Sequence, residues 1–193
     1  MNPAGCPWFW LGAALLLAQD GPPPASAQPK ARRVVLVGDS LAVGLAKPLG
    51  AELGARGVAF QVRAATGANA GAFTEGSGAQ SLGKLLADFR PDVVLVSLGT
   101  NDTVPGAEAL AKKLPARFAL LASRSSSAGA RLAFLEPPAL PWSREPIHQA
   151  AAHAGAALLA APAIEQTPDR IHPTGAGYAA WSKFIASRKE FFP

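Results

Sequence analysis

Val34-Val35-Leu36-Val37-Gly38-Asp39-Ser40-Leu41 is the stretch from which the rest of the chain is read. Four consecutive apolar residues, three of them β-branched, predict a short strand buried on both faces. Gly38 permits a tight turn that a side chain would obstruct, and Ser40 stands where strand gives way to helix. In open α/β sheets ligands bind at that carboxyl edge. The free amide N–H groups of a helix start favour negative charge there. Ser40 therefore has two readings: a helix N-cap, for which serine is a preferred residue, or a nucleophile whose reaction creates an oxyanion.

A second run of the same kind, Val93-Val94-Leu95-Val96, ends in Ser97-Leu98-Gly99-Thr100-Asn101-Asp102. Between the two runs, apolar residues at 41, 45, 49 and 53 mark one face of a helix from Leu41 to Arg56, with a kink or restart at Pro48. Val58 to Val62 reads as a second strand and Ala64 to Gly78, rich in small residues, as a loop. Leu82, Leu85, Leu86 and Phe89 mark another helix face. Downstream, the pattern predicts a helix from Glu108 to Ser123 kinked at Pro115, a turn to Gly129, and a strand from Arg131 to Leu135. An irregular proline-rich segment from Glu136 to Trp142 follows, then a helix from Glu145 to Gly155 and a weak strand from Ala156 to Leu159. Ala161 to His172 reads as loop, and Pro173 opens a last helix running to Ser187. Strands alternating with helices predict an α/β fold with a parallel sheet covered on both sides, in one domain. No period of about 20 to 50 residues recurs, which excludes a solenoid.

Of the 193 residues, 49% are hydrophobic and 16% charged, ample for a core and against disorder over most of the length. Trp8 to Ala18 is an apolar run too short to span a bilayer, followed by Ala25-Ser26-Ala27, a small-x-small cleavage pattern. Residues 1–27 read as a signal peptide cut after Ala27, leaving 28–193 as the folded domain of a secreted or periplasmic protein. No Lys or Arg precedes the apolar run, so a retained membrane tether is the alternative. The only cysteine, Cys6, falls within the leader. The formal net charge is +5, but its bases are scattered over Arg56, Arg63, Arg90, Arg117, Arg131 and Arg144. The densest cluster is Lys30, Arg32 and Arg33, and no basic stripe is interleaved with aromatics. Nucleic acid is not an expected partner, and no stable membrane insertion is expected. Without thiolate ligands, paired histidines or a glycine-rich phosphate loop, neither a metal nor another cofactor is expected.

A serine hydroxyl needs a base to take its proton. His148 and His153 lie in an alanine-rich helical stretch and read as solvated helix positions. His172 stands in a loop before a helix-starting proline, three residues after Asp169. That spacing lets the carboxylate hold the imidazole from one side of a turn; a surface Asp beside a helix-capping His is the plainer reading. Donors for an oxyanion are available at the N–H of Ser40, the N–H of Gly67 in Thr66-Gly67-Ala68-Asn69, and the side-chain amide of Asn101. Gly67 is equally an ordinary loop glycine and Asn101 a turn residue, while Asp102 reads as a brace for its loop.

Taken in order and spacing, four segments resemble the SGNH/GDSL hydrolase family: Gly38-Asp39-Ser40, Gly67, Gly99-Thr100-Asn101-Asp102, and Asp169-Arg170-Ile171-His172-Pro173-Thr174 followed by Gly177-Tyr178. The match runs from Val34 to Trp181. The resemblance implies a three-layer α/β/α, flavodoxin-like fold with a parallel sheet of about five strands, which makes 28–193 an SGNH hydrolase domain. It also implies a Ser40–His172–Asp169 triad, an oxyanion hole from Ser40, Gly67 and Asn101, and metal-free hydrolysis of an ester or thioester through an acyl-enzyme. Among substrates, a short-chain O-acyl ester on a carbohydrate, such as an acetylated polysaccharide or peptidoglycan, fits best. Long lid-like insertions between the blocks are absent, and Trp142 stands ready to stack on a sugar or to cover core. The alternatives are a lysophospholipase or thioesterase acting on lipids, a cell-envelope O-acyltransferase, and a binding protein on a retired hydrolase scaffold.

Overall fold

A computed structural model describes residues 33–138 and 140–192; the expected leader, residues 1–27 with its cut after Ala27, lies outside the described residues. The two β-branched runs form β1 (Arg33–Gly38) and β3 (Val93–Ser97), paired in parallel with Gly38 beside Ser97. Val34 to Val37 and Val93 to Val96 are buried, as strands covered on both faces require. β2 (Ala59–Ala64) flanks β1, and β4 (Arg131–Leu135) and β5 (Ala157–Leu159) continue beyond β3. The sheet is wholly parallel, in the order β2-β1-β3-β4-β5. The strand order reverses between β1 and β3, so a crevice opens where their carboxyl ends part.

Alternate residues of each strand feed separate cores. Val34, Leu36, Val93 and Leu95 meet α1 (Ser40–Gly54) and α8 (Gly175–Ala186) on one face. Val35, Val37, Val94 and Val96 meet α3 (Gly76–Phe89), α6 (Leu114–Ser127) and α7 (Pro141–His153) on the other. The result is the expected three-layer α/β/α architecture. Short helices α2 (Gly71–Thr74), α4 (Thr100–Thr103) and α5 (Glu108–Ala111) sit in the connections. Among the described residues no helix is long and apolar enough to cross a membrane.

Several local expectations are corrected. Pro48 does not restart α1, which runs unbroken from Ser40 to Gly54. Proline in a helix interior costs about 3 kcal/mol, but burying each of Leu45, Leu49 and Leu53 returns about 1.5–3 kcal/mol. Pro115 is not in a helix interior: it stands in the first turn of α6, where a missing N–H costs nothing, and the single helix expected from Glu108 to Ser123 is two. α6 also runs on to Ser127, through the segment expected to turn. Pro141 likewise opens α7, so Trp142 is helical, and that helix carries Pro146 inside it. The small-residue segment expected as loop holds α2 and the start of α3. Strand β2 is shifted to Ala59–Ala64, and the last helix begins at Gly175, capped by the Thr174 hydroxyl. Gly38 matters for proximity: a Cβ there would collide with the Ser97 carbonyl oxygen and the Ala42 side chain.

Candidate active site

The turn out of β1 separates two roles that the sequence left merged in Ser40. Asp39, not Ser40, caps α1: its Oδ1 accepts from the Leu41 N–H at 2.9 Å. The Ser40 hydroxyl is thereby released, and it lies 2.9 Å from Nε2 of His172, 132 residues away in sequence. The opposite ring nitrogen, Nδ1, is 2.7 Å from Asp169 Oδ2. With the Nδ1 proton donated to the carboxylate, Nε2 presents its lone pair to the Ser40 O–H.

Asp169 is fixed through its other oxygen. Oδ1 accepts from the Thr167 hydroxyl at 2.7 Å and from the main-chain N–H groups of Ile171 and His172 at 2.8 and 2.9 Å. The Thr167 hydroxyl first, then His172 and the two N–H groups, hold the Asp169 carboxyl well below the usual carboxylate range. The turn that these bonds close places Arg170 at φ +57°. His172 is anchored in turn by its carbonyl, which accepts from the Thr167 N–H at 2.8 Å. Gln166 ties the loop to the β4–α7 connection by donating to the Pro138 carbonyl at 2.9 Å.

The second half of the site is assembled across the crevice. Asp39 N–H donates to Ser97 O at the end of β3, and Ala65 N–H donates to Gly38 O at the end of β1, each at 3.1 Å. The Asn101 side-chain amide donates to Ala68 O at 2.9 Å, which places it against the loop that bears Gly67. Gly67 has φ +74°, a conformation that favours glycine. The N–H groups of Ser40 and Gly67 have no acceptor among the described residues. An amide nitrogen carries two protons, so Asn101 keeps one after satisfying Ala68. Asp102, fully buried, takes the Ala70 N–H at 2.9 Å and braces the loop as its position suggested.

His148 lies elsewhere, on α7, 3.4 Å from Glu136 Oε2, and His153 ends the same helix. Among the described residues no group of three or more His, Cys, Asp or Glu side chains is arranged to hold a metal ion. The sequence pointed to neither Thr167 nor the Arg117–Glu75 pair, whose guanidinium lies 2.8 Å from the carboxylate. Arg117 had a signal: with Leu114, Phe118, Leu121 and Ser125 it falls on the buried stripe of α6, where an arginine is out of place unless it is paired.

No family model and no curated protein matches the sequence. Solved structures do. A protein of Slackia heliotrinireducens, provisionally described as an SGNH hydrolase, superposes with a TM-score of 0.66 at 20% identity, over 83% of this chain and all of its own. That superposition agrees with the sheet order and layers described above. The chain has the SGNH hydrolase fold. The psychrotrophic esterase EstA of Pseudoalteromonas sp. gives 0.63 at 19% identity, covering 82% of this chain and 97% of that one. Est24, a carbohydrate acetylesterase from Sinorhizobium meliloti, gives 0.62 at 16% over 82% and 98%. In this chain the candidate site sits on the carboxyl edge, at the crevice between β1 and β3.

Proposed function

We propose that this protein is a serine esterase that hydrolyses carboxylic esters through an acyl-enzyme on Ser40. The observation that carries the reading is the continuous line Ser40 Oγ–His172 Nε2–Asp169, at 2.9 and 2.7 Å. Nε2 takes the Ser40 proton as Oγ attacks the carbonyl carbon. Asp169, held ionised, stabilises the imidazolium that results. The oxyanion is received by the N–H of Ser40, the N–H of Gly67 and the free proton of the Asn101 amide. His172 then protonates the departing alcohol oxygen, and a water deprotonated by the same imidazole releases the acid and restores Ser40.

For the substrate, we propose a short-chain O-acyl ester carried on a carbohydrate. Trp142 is 40% exposed at the start of α7, beside Ser143. The Thr103 hydroxyl lies 2.9 Å from the Ser143 hydroxyl, which ties the start of α7 to the turn bearing Asn101. A flat, half-exposed indole on that helix start suits stacking against a sugar ring. The likeness to Est24, a carbohydrate acetylesterase, supports the same class. Export belongs to the proposal through the Ala25-Ser26-Ala27 pattern, and N-terminal sequencing of the protein from the culture medium or periplasm tests it.

Incubation with nitrophenyl acetate, nitrophenyl octanoate and an acetylated xylan or peptidoglycan tests the reading. Turnover of the acetate and release of acetate from the glycan, both abolished in Ser40→Ala, are expected. Trp142→Ala should raise KM several-fold on the glycan and leave nitrophenyl acetate unaffected. Preference for the octanoate, with no acetate released from glycan, would make the protein a lipid esterase. Acyl transfer to an added glycan faster than hydrolysis would make it a transferase.

A further inference from the structure

Two guanidinium groups of α6, one heptad apart, reach the loop that carries Gly67. Arg117 donates through Nε and Nη2 to Glu75 Oε1 at 3.0 and 2.8 Å, and through Nη1 to Asp102 Oδ1 at 3.2 Å. Arg124 donates to the carbonyls of Phe73 and Thr74, both at 3.1 Å. Asp102 passes the restraint on, since its carboxylate accepts the Ala70 N–H at 2.9 Å. Ala70 is separated by one residue from Ala68, whose carbonyl holds the Asn101 amide. Gly71 makes room for the guanidinium: a Cβ there would lie 2.6 Å from Arg117 Nη2.

Such a cluster is a poor device for stability alone. The Arg117 side chain is 8% exposed and the Asp102 side chain 0%, so both charges are stripped of water. A buried ion pair gives little net stabilisation over well-packed apolar residues, and its best use is to fix one arrangement among several. The arrangement fixed here is the spacing between the Gly67 loop and the Asn101 turn. We infer that Arg117 is a positioning residue for the oxyanion donors: by drawing Asp102 and Glu75 onto one guanidinium, it holds the Gly67 N–H and the Asn101 amide in register across the crevice. The inference rests on the esterase reading above. Arg117 touches no reacting atom; it acts through Asp102 and the loop.

The test compares Arg117→Ala, Arg117→Lys and Glu75→Gln with Leu121→Ala, a change on the same helix that empties core and removes none of the clamp's hydrogen bonds. For each, kcat and KM on nitrophenyl acetate, the melting temperature and the Ki of a boronic acid that mimics the tetrahedral oxyanion are measured. Arg117→Ala should lower kcat by about 10- to 100-fold with KM within about twofold, since small misplacement of a catalytic group costs up to about 100-fold. The boronate Ki should rise in parallel. Lysine, a point charge without the fork, should fall between wild type and alanine, and Glu75→Gln should lose about three- to tenfold. Leu121→Ala should melt lower yet keep kcat within about twofold. If Arg117→Ala does not fold, Arg117→Lys and Glu75→Gln decide, because Glu75 is 63% exposed and its change leaves the core intact. An unchanged kcat and boronate Ki in every folded clamp variant, or a loss matched by Leu121→Ala, overturns the inference while the wild type remains an esterase. A wild type that neither turns over esters nor binds boronate instead sinks the esterase reading.

Discussion

The proposed acid–base half of the site and its proposed oxyanion half are built from opposite materials. Asp169 and His172 lie in a surface loop, with side chains 46% and 36% exposed, three residues apart and joined by short-range bonds. Asp102 and Arg117 lie inside the protein, 15 residues apart, and act on a loop still farther away in sequence. A loop closed by its own hydrogen bonds tolerates a change of chemistry with little cost to the fold. A buried ionic brace does not, because removing one partner strands the other. In the first half, activity and stability should therefore separate under mutation; in the second they should fall together.

The largest expected effect breaks the comparison if it fails. His172→Ala should reduce kcat by about 10⁴-fold or more while the melting temperature moves by no more than about 2 °C, measured by steady-state kinetics and calorimetry on one preparation. A large drop in melting temperature would show that the loop belongs to the core. Asp169→Asn, which keeps an oxygen for the N–H bonds but no longer supports the imidazolium, should cost about 10³- to 10⁴-fold with a similarly small thermal shift. Asn101→Ala should slow the chemical step by about 10²- to 10³-fold, and its lost bond to Ala68 should also lower the melting temperature measurably. An unchanged rate would take Asn101 out of the oxyanion hole.

The smallest effect concerns Asp39, which caps α1 just ahead of Ser40. Its Oδ2 is buried and accepts no hydrogen bond. Burial is the main reason its carboxyl is pushed up to about 7. An unfolded Asp ionises near pH 4, so between about 4 and 7 the native state holds a proton that the unfolded chain has released. Stability drawn from this group is therefore fully present below about pH 4 and is lost as pH rises through 7. Asp39→Asn keeps an oxygen for the Leu41 N–H and cannot ionise. Its melting temperature should gain on the wild type by a few degrees between pH 5 and pH 8, and parallel curves would refute the point.

Much of the plan was open to a reader of the sequence, and the reason is locality. The β-branched runs at Val34 and Val93 announce buried strands, because a strand covered on both faces has no polar side to show. Asp169 and His172 form a pair legible within one turn. Prolines mislead: Pro48 and Pro115 read as kinks and Pro141 as part of an irregular segment, yet burial of the surrounding leucines holds α1 together and first-turn placement accommodates the other two. Small residues misled as well, since the stretch after Thr66 looks like loop but folds into α2 under two arginines. The clamp itself was hidden, because Glu75 and Arg117 are brought together only by the packing of α6 on the loop, 42 residues apart. Ser40 was ambiguous until the cap was seen on its neighbour Asp39.

The most direct measurement is the mass of the intact protein after treatment with a fluorophosphonate, followed by mapping of the modified peptide. A serine deprotonated by His172 should form one adduct per chain, on the peptide that contains Ser40, and none in Ser40→Ala or after denaturation. No adduct, or one on another serine while Ser40 stays bare, would contradict the account.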